Sequence, residues 1–176
     1  MSKTRFVMTL LGKDQPGIVE AVSRVVADYG GNWEESNMAR LSGRFAGFIR
    51  ISAESTEASA LEAELVALSR PDLEFQVERI EKDDAQPATT PIHMELVGHD
   101  RPGILREITA VIAEAGVNVA RLETVCRSAP MSAETHFHVD ADLLCPSDDS
   151  VEPLREKLEQ LGHDMMVEID LVEADA

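Results

Sequence analysis

Asp14-Gln15-Pro16-Gly17 and Asp100-Arg101-Pro102-Gly103 are two copies of one four-residue phrase, and each stands between a short apolar run and an amphipathic stretch. This order predicts a strand, a tight turn and the start of a helix. Proline suits a first helical turn, and glycine lets the backbone or a ligand come close. The phrase therefore predicts a cluster of backbone N–H groups at the positive end of a helix dipole, where a carboxylate can bind.

Turn signals and apolar periodicity divide the first half of the chain into six elements. The first helix carries an apolar stripe of Ile18, Val22, Val25, Val26 and Tyr29. Gly30-Gly31 ends that helix, and Ser42-Gly43-Arg44 predicts a hairpin turn between two strands. Ser55-Thr56 can cap a second helix, which Pro71 ends, and Leu73 to Ile80 form a last strand. The predicted order is β-α-β-β-α-β.

The second half repeats this order at nearly constant spacing. The differences 100 − 14 and 118 − 32 both equal 86, so the first helices of the two halves correspond. A loop at 127–133 lengthens the second copy, and Met165 to Val172 is its predicted last strand. We expect two tandem domains, residues 1–82 and 92–176, joined by an exposed linker at 83–91. Each domain is predicted as a ferredoxin-like α+β unit, an antiparallel four-stranded sheet with helices on one face.

The composition, with 44% hydrophobic and 28% charged residues among 176, is that of a soluble globular protein. No apolar run is long enough to cross a bilayer, and residues 1–5 do not resemble a secretory signal, so we expect a cytoplasmic protein. The net charge of −17 disfavours direct contact with nucleic acid, so a role in gene regulation would act through a protein partner. Cys126 and Cys145 are expected as reduced thiols rather than a disulfide or zinc site.

Two acidic and two amide side chains recur beside the repeated phrase. Asp14 and Asp100 can cap their helices, or they can face the ammonium group of a small zwitterion whose carboxylate meets the helix amides. Asn32 and Asn118 stand just past the same helices, where asparagine tolerates the left-handed backbone that often ends a helix. An asparagine amide can also donate to a carboxylate and accept from an ammonium group. At this point a structural role and a ligand-binding role are both open for all four residues.

The β-α-β-β-α-β order, the Asp-x-Pro-Gly-Ile phrase and the Gly-x-Asn motif after the helix resemble ACT domains, the small-molecule regulatory modules of amino-acid metabolism. Two such domains without a catalytic domain resemble the glycine cleavage system transcriptional repressor family. In amino-acid-binding ACT domains the ligand lies where domains meet, near the loop between the first strand and the first helix. The resemblance therefore implies ligand contacts by Asp14, Gln15, Pro16, Gly17, Ile18, Asn32, Asp100, Arg101, Pro102, Gly103, Ile104 and Asn118.

The same resemblance implies a regulatory function without catalysis. The expected effector is a small amino acid, with glycine as the first candidate, and the expected partner is a DNA-binding transcription factor. A regulatory subunit of an amino-acid metabolic enzyme is the alternative. No cofactor or catalytic residue is expected, since the sequence has neither a Gly-x-Ser-x-Gly elbow nor a phosphate-binding loop. The two copies can pair within one chain or across a homodimer, and the sequence leaves this choice open.

A further alternative, an enzyme or a metal-binding protein, rests on one predicted sheet face of the second copy. Alternation along two neighbouring strands places six side chains on it: His93, Glu95, His136, His138, Asp140 and Asp142. Imidazole and carboxylate are donor types of transition-metal sites. However, antiparallel sheets often have one polar, solvated face, and the first copy has no comparable side chains. We therefore expect a solvated face and no metal.

Overall fold

A computed structural model of the chain describes residues 2–80, 88–128 and 135–173. The chain divides into two compact units, residues 1–84 and 85–176, named domain 1 and domain 2 below. Each unit follows the order β-α-β-β-α-β. The predicted fold class, two tandem α+β units with antiparallel sheets, is therefore confirmed.

The helices and strands have the following bounds. Domain 1 consists of β1 (Lys3–Lys13), α1 (Ile18–Asp28), β2 (Asn32–Leu41), β3 (Arg44–Glu54), α2 (Ala58–Ala67) and β4 (Leu73–Ile80). Domain 2 consists of β5 (Thr90–His99), α3 (Ile104–Glu114), β6 (Asn118–Ser128), β7 (Thr135–Cys145), α4 (Val151–Met165) and β8 (Glu168–Glu173), with a 3₁₀ turn at Asp148–Ser150.

Each domain has one four-stranded antiparallel sheet in which the first strand lies in the interior. The strand orders are β2-β3-β1-β4 and β6-β7-β5-β8. Ser42 and Gly43 join β2 to β3 with φ values of 49° and 76°, which are typical of the type I′ turns that suit two-residue hairpins. The predicted hairpin turn is therefore confirmed.

The core of each domain lies between the sheet and its two helices. Phe6, Met8 and Leu10 alternate along β1 and are buried against the stripe of α1. In domain 2 the corresponding residues of β5 are Ile92, Met94 and Leu96, and they pack against Ile104, Ile108 and Ile112 of α3. Because strand side chains alternate between faces, the remaining residues of β1 and β5 lie on the face opposite the helices, called the outer face below.

Two element boundaries in domain 1 and the linker differ from the sequence-based assignment. Glu57 occupies the N-cap of α2, and the Ser55 hydroxyl instead donates to the Ser2 carbonyl oxygen at 2.7 Å, so the predicted Ser55-Thr56 cap is wrong. β5 begins at Thr90, inside the segment assigned to the linker, because Thr90 and Pro91 pair with β7. Residues 83–87 of that linker lie outside the described residues.

The last strand of domain 2 begins later than the apolar pattern predicts. α4 continues through Met165, and Met166, with φ 55° and ψ 47°, ends it in left-handed backbone. β8 therefore begins at Glu168 rather than at Met165. Residues 129–133 of the predicted lengthened loop lie outside the described residues.

Both cysteines are free thiols, as predicted, with Cys145 buried in the core of domain 2 and Cys126 exposed on β6. Among the described helices, none combines the length and the apolar character needed to cross a membrane.

Candidate functional site

The repeated phrase forms the same tight turn in both domains. Gly17 has φ 91° and ψ 0°, the values of the third residue of a type II turn, and proline precedes it as such turns prefer. Gly103 has φ 93° and ψ −6°, and the Ile104 N–H donates across the turn to the Arg101 carbonyl at 3.4 Å. Because glycine adopts this left-handed backbone without strain, the Pro-Gly pair fixes the entry into each helix.

This turn corrects two sequence-based interpretations. α1 begins at Ile18 with Gly17 as its N-cap, so Pro16 precedes the helix instead of lying in its first turn. No side chain caps α1 or α3, so Asp14 and Asp100 are not helix caps. The first N–H groups of any helix lack partners within it, so both turns present backbone donors.

Asp14 and Asp100 contact different side chains. In domain 1, Asp14 Oδ2 lies 2.6 Å from Arg40 Nε. Cys126 takes the position of Arg40 in domain 2 (126 − 40 = 86), and its thiol hydrogen-bonds to the Asp100 carboxylate. Desolvation first, and then the negative charge of Asp100, raise the pKa of the Cys126 thiol. A cation thus neutralises the aspartate in domain 1, whereas a neutral thiol contacts it in domain 2.

A bidentate ion pair exists in the loop of domain 2, and other residue types occupy the equivalent two positions of domain 1. The two terminal nitrogens of Arg101 donate to the two carboxylate oxygens of Glu107, each at 2.9 Å. This hydrogen bonding lowers the pKa of Glu107. The corresponding residues of domain 1 are Gln15 and Ala21 (101 − 86 and 107 − 86). Glu107 lies in the first turn of α3, where a bound anion would otherwise be stabilised by the helix dipole.

A small cavity of about 120 Å³ adjoins the loop of domain 1. Its lining comes from the loop, from α1 and from the segment that leads from α2 into β4: Gln15, Pro16, Gly17, Ile18, Ala21, Leu68, Arg70, Leu73 and Phe75. Gln15 Nε2 donates to Asp72 Oδ2 at 3.4 Å, and Arg70 Nε lies 3.3 Å from Asp72 Oδ1. The cavity is smaller than pockets for drug-sized ligands, so it suits a ligand of few heavy atoms.

Gly12 allows the segment before β4 to approach the loop, and the sequence patterns did not single it out. A Cβ at Gly12 would lie 2.5 Å from the Asp72 carbonyl oxygen, which also accepts a hydrogen bond of 2.8 Å from the Lys13 N–H. At Gly98 in domain 2, a Cβ would lie 2.2 Å from Val167 Cγ1. The sequence does carry a signal that could have identified both positions, because a glycine stands two residues before each of the repeated aspartates.

Asn32 lies at the opposite end of the sheet from Asp14. Asn32 pairs with Ser52, which pairs with Arg5, whereas Asp14 follows Lys13 at the other end of β1. At about 3.3 Å per strand residue, the levels of Arg5 and Lys13 are roughly 25 Å apart. A single small amino acid therefore cannot contact Asp14 and Asn32 of the same domain.

Asn118 is displaced from Asp100 in the same way. It pairs with Leu144, which is level with Pro91 near the start of β5, whereas Asp100 follows the end of that strand. Within each domain, the structure thus keeps the asparagine apart from the loop with which the sequence grouped it.

The outer faces of the two sheets differ in polarity. Domain 1 exposes Leu11, Leu41 and Phe48 on this face, with 59%, 78% and 52% of their surfaces accessible. The outer face of domain 2 carries the predicted polar side chains, because His93 pairs with Asp142 and Glu95 pairs with Asp140. The prediction that these residues share one face is confirmed.

His93 is the centre of a polar network on that face. Its Nδ1 lies 2.9 Å from Asp142 Oδ1, and its Nε2 lies 3.6 Å from Glu95 Oε1 and 3.6 Å from Asp140 Oδ2. The hydrogen bond to Asp142 raises the pKa of His93 although desolvation opposes it. Arg121, which the sequence patterns did not single out, binds Asp142 Oδ2 at 2.6 Å and also contacts Asp140.

Matches to two models described as ACT domain cover residues 4–78 and 94–163. The chain belongs to the ACT-domain family. In this tandem ACT protein, both matched ranges include the Pro-Gly turn and the helix that follows it.

The tandem ACT protein is similar over most of its length to a named regulator and to solved structures. It is 28% identical over 146 residues to the glycine cleavage system transcriptional repressor of Escherichia coli (strain K12), covering 80% of this chain and 75% of the relative. A crystal structure of an unknown protein from Galdieria sulphuraria is 29% identical, with a TM-score of 0.83 over 99% of this chain and 100% of the other.

A second crystal structure, provisionally assigned as a glycine cleavage system transcriptional repressor, is 22% identical with a TM-score of 0.71 over the full length of both chains. At this identity it supports the fold alone. The tandem ACT protein is thus a regulatory-domain protein related to the glycine cleavage repressor.

Proposed function

We propose that this protein senses a small amino acid, with glycine as the first candidate, and modulates transcription by binding a DNA-binding regulator. The repressor relative supports the regulatory part of the proposal. The net charge of −17 supports action through a protein partner, because the phosphate backbone of DNA would repel the chain.

The observation that carries the proposal is the open loop of domain 1. Gly17 turns the chain into α1, and Gln15 and Arg70 are among the residues that line the adjoining cavity of about 120 Å³. The α1 amides and the Arg70 guanidinium are the donors that an amino-acid carboxylate needs. The carboxamide oxygen of Gln15 is an acceptor for its ammonium group. The effector site is therefore assigned to the Gln15–Ile18 turn, with Asp14 held beside it by Arg40.

The loop of domain 2 is proposed to bind the effector weakly or not at all. The carboxylate of Glu107 lies at the start of α3 and is held by Arg101 through two hydrogen bonds of 2.9 Å. A ligand carboxylate would have to displace this internal carboxylate to reach the same helix dipole. On this proposal, domain 2 keeps the turn that contains Asp100, Pro102 and Gly103 but does not use it to hold the ligand.

Asn32 is proposed to contact the ligand that is bound by the loop of a second protomer. The register of β1, β2 and β3 places it roughly 25 Å from the loop of its own domain along the strands, by about 3.3 Å per residue. The resemblance to amino-acid-binding ACT domains, whose ligands lie where domains meet, leads us to propose a homodimer in which Asn32 of one chain approaches the ligand at the loop of the other.

Calorimetry tests effector binding. Glycine, serine and the other common amino acids are titrated into the full chain and into an Arg70→Gln variant, with Arg106→Gln as a control on an exposed helix position of domain 2. We expect at least one amino acid to bind to the wild-type chain and to the control, and more weakly to Arg70→Gln. The absence of heat with every amino acid would contradict the sensor proposal.

Trp33 gives a separate signal for the Asn32 end of the sheet, because it packs against the core of domain 1 directly beside Asn32. If a dimer brings Asn32 to the ligand, Trp33 fluorescence changes on binding, and light scattering reports a mass of two chains. A monomer whose Trp33 does not respond to a ligand detected by calorimetry would exclude Asn32 from the site.

The partner is tested by capture from cell extract with the immobilised full chain, with and without the amino acid that binds. A DNA-binding regulator that is retained in an effector-dependent manner supports the proposal. Retention of an amino-acid metabolic enzyme instead would support the alternative, a regulatory subunit.

A further inference from the structure

The outer face of domain 2 gathers nitrogen and oxygen donors around one point. One ligand atom each from His93, Glu95 and Asp140 lies within 4.8 Å of the others. His93 is half-buried, with 27% of its side chain accessible, whereas Glu95 is 64% accessible. In domain 1, the pair that corresponds to His93 and Asp142 in register is Val7 and Arg50, so the cluster belongs to domain 2 alone among the described residues.

Asp142 fixes the orientation of the His93 ring. A carboxylate accepts hydrogen bonds, so the 2.9 Å contact to Asp142 Oδ1 places the proton of a neutral imidazole on Nδ1. The lone pair of Nε2 then faces Glu95 and Asp140. A carboxylate that holds the far nitrogen of an imidazole in this way is the usual second partner of a metal-bound histidine.

Arg121 orients the two aspartates from the opposite side. It contacts Asp142 Oδ2 at 2.6 Å and Asp140 Oδ1, which leaves Asp142 Oδ1 and Asp140 Oδ2 facing His93. Three of the four carboxylate oxygens of Asp140 and Asp142 thus have hydrogen-bond partners. The fourth, Asp140 Oδ2, faces the cluster centre. The guanidinium therefore shapes the donor set without entering it.

The distances suit a metal ion better than direct hydrogen bonds. Nε2 lies 3.6 Å from Glu95 Oε1 and from Asp140 Oδ2, beyond hydrogen-bond range. Tetrahedral donors about 2.1 Å from a zinc ion are about 3.4 Å apart, close to the two separations measured from Nε2. A groove of about 410 Å³, whose lining includes Glu95, His138 and Asp140, adjoins this cluster.

The charge of the cluster also favours a cation. Arg121 lies among four carboxylates, those of Glu95, Glu123, Asp140 and Asp142, and contacts the last three, while Arg127 also lines the adjoining groove. With neutral His93 the group carries a net charge of −3, counting four carboxylates against one guanidinium. One imidazole with two carboxylates is a donor set that suits divalent first-row metals such as Zn²⁺ and Mn²⁺.

We propose that His93, Glu95 and Asp140 form a binding site for one divalent transition-metal ion on the outer face of domain 2, with Asp142 orienting His93 through its hydrogen bond to Nδ1. This proposal departs from the solvated face expected from the sequence. It is independent of the amino-acid site, which lies on the β1–α1 loop of domain 1.

Calorimetric titration of the untagged, metal-free full chain with Zn²⁺ tests this proposal. The expected result is one equivalent bound by the wild-type chain. Glu95→Gln, Asp140→Asn and His93→Gln should each lower the affinity, and by more than the roughly 10–100-fold expected for Asp142→Asn, which removes only the carboxylate that orients His93. His163→Gln changes an exposed histidine of α4 and should leave binding unchanged.

Substitution with Co²⁺ adds a signature that nonspecific binding does not give, since a tetrahedral site produces strong visible absorption. Glu95→Gln keeps the test decisive if another variant fails to fold, because the exposed side chain of Glu95 contributes little to packing. Absence of saturable binding to the wild type, or wild-type affinity in Glu95→Gln, would overturn the proposal. Loss of binding in His163→Gln would assign the ion to another place and would also overturn it.

Discussion

The loops of domain 1 and domain 2 share the backbone geometry of their glycine turn but differ in the side chains around it. Gly17 and Gly103 share φ values of 91° and 93°, and each leads into an eleven-residue helix. In domain 2, Arg101 and Glu107 form an ion pair across the turn. In domain 1, the equivalent pair is Gln15 and Ala21, and a small cavity adjoins the turn.

The aspartate of each phrase shows the same divergence. Arg40 pairs with Asp14 in domain 1, whereas Cys126 contacts Asp100 from the equivalent position in domain 2. The duplicated scaffold therefore preserves the turn while its side chains decide what the turn can bind. The shared motif therefore does not determine whether a loop binds a ligand, because that depends on the side chains of each loop.

The largest expected effect comes from transplanting the ion pair of domain 2 into domain 1. The double substitution Gln15→Arg/Ala21→Glu would add a second carboxylate, beside that of Glu20, to the first turn of α1 and fill the cavity that Ala21 lines. Amino-acid affinity measured by calorimetry should fall at least about 10-fold, which corresponds to about 1.4 kcal/mol.

Gln15→Arg/Ala21→Gln serves as the matched control for this transplant, since it adds similar volume without the negative charge. A loss that is equal in both variants would show that volume, and not the charge at the helix terminus, distinguishes the loops. Unchanged affinity in the charged variant would contradict the proposed site.

A smaller effect is expected from Gly12→Ala, which tests whether the loop of domain 1 needs the close approach of Asp72. The new Cβ would lie 2.5 Å from a carbonyl oxygen, so the backbone would have to move. Denaturant unfolding should show a loss of about 1–3 kcal/mol, the range for overpacked sites. Gly43→Ala, which meets no atom within 4 Å but has φ 76°, separates backbone strain from the clash. Equal stability of Gly12→Ala and wild type would contradict this account of the loop.

The Cys126 thiol should react slowly with a disulfide reagent near neutral pH, because its raised pKa leaves little thiolate. Asp100→Asn removes the neighbouring negative charge, so the pKa should fall toward its ordinary value and the rate at fixed pH should rise several-fold. Cys145 is buried and should not contribute before unfolding. The rate is followed by absorbance against pH in a Cys145→Ala background. A rate unchanged by Asp100→Asn would show that the carboxylate does not influence the thiol.

The smallest effect concerns the titration of Glu107. Hydrogen bonds from Arg101 lower its pKa in the folded chain, so the stabilisation is present above the unfolded pKa and is lost as the pH falls through the folded value. In Arg101→Gln, the Glu107 carboxyl signal in an NMR titration should move to a higher midpoint. An unchanged midpoint would show that the ion pair is not formed in solution.

The repeated motif and the apolar periodicity predicted the order of elements and the shared polar face, because both follow from local alternation. Helix N-caps were predicted less well. The left-handed backbone of Gly17 places Pro16 before the helix, and sequence preference alone does not distinguish this turn from a proline in the first helical turn.

The grouping of Asn32 with Asp14 depended on proximity to one helix in sequence. The helix carries the chain from one end of the sheet to the other, so its two ends cannot share a small ligand within a domain. Partners such as Arg40 for Asp14 and Arg121 for Asp142 depend on cross-strand register, and the repeat spacing did not reveal them.

Binding stoichiometry tests the difference between the two loops most directly. Calorimetry with the amino acid that binds best should give one site per chain, abolished or strongly weakened by Gln15→Arg/Ala21→Glu and retained in Arg101→Gln/Glu107→Ala at the domain 1 site. A stoichiometry of two in the wild type, or one site that survives in Gln15→Arg/Ala21→Glu with unchanged affinity, would contradict the assignment of the effector to domain 1.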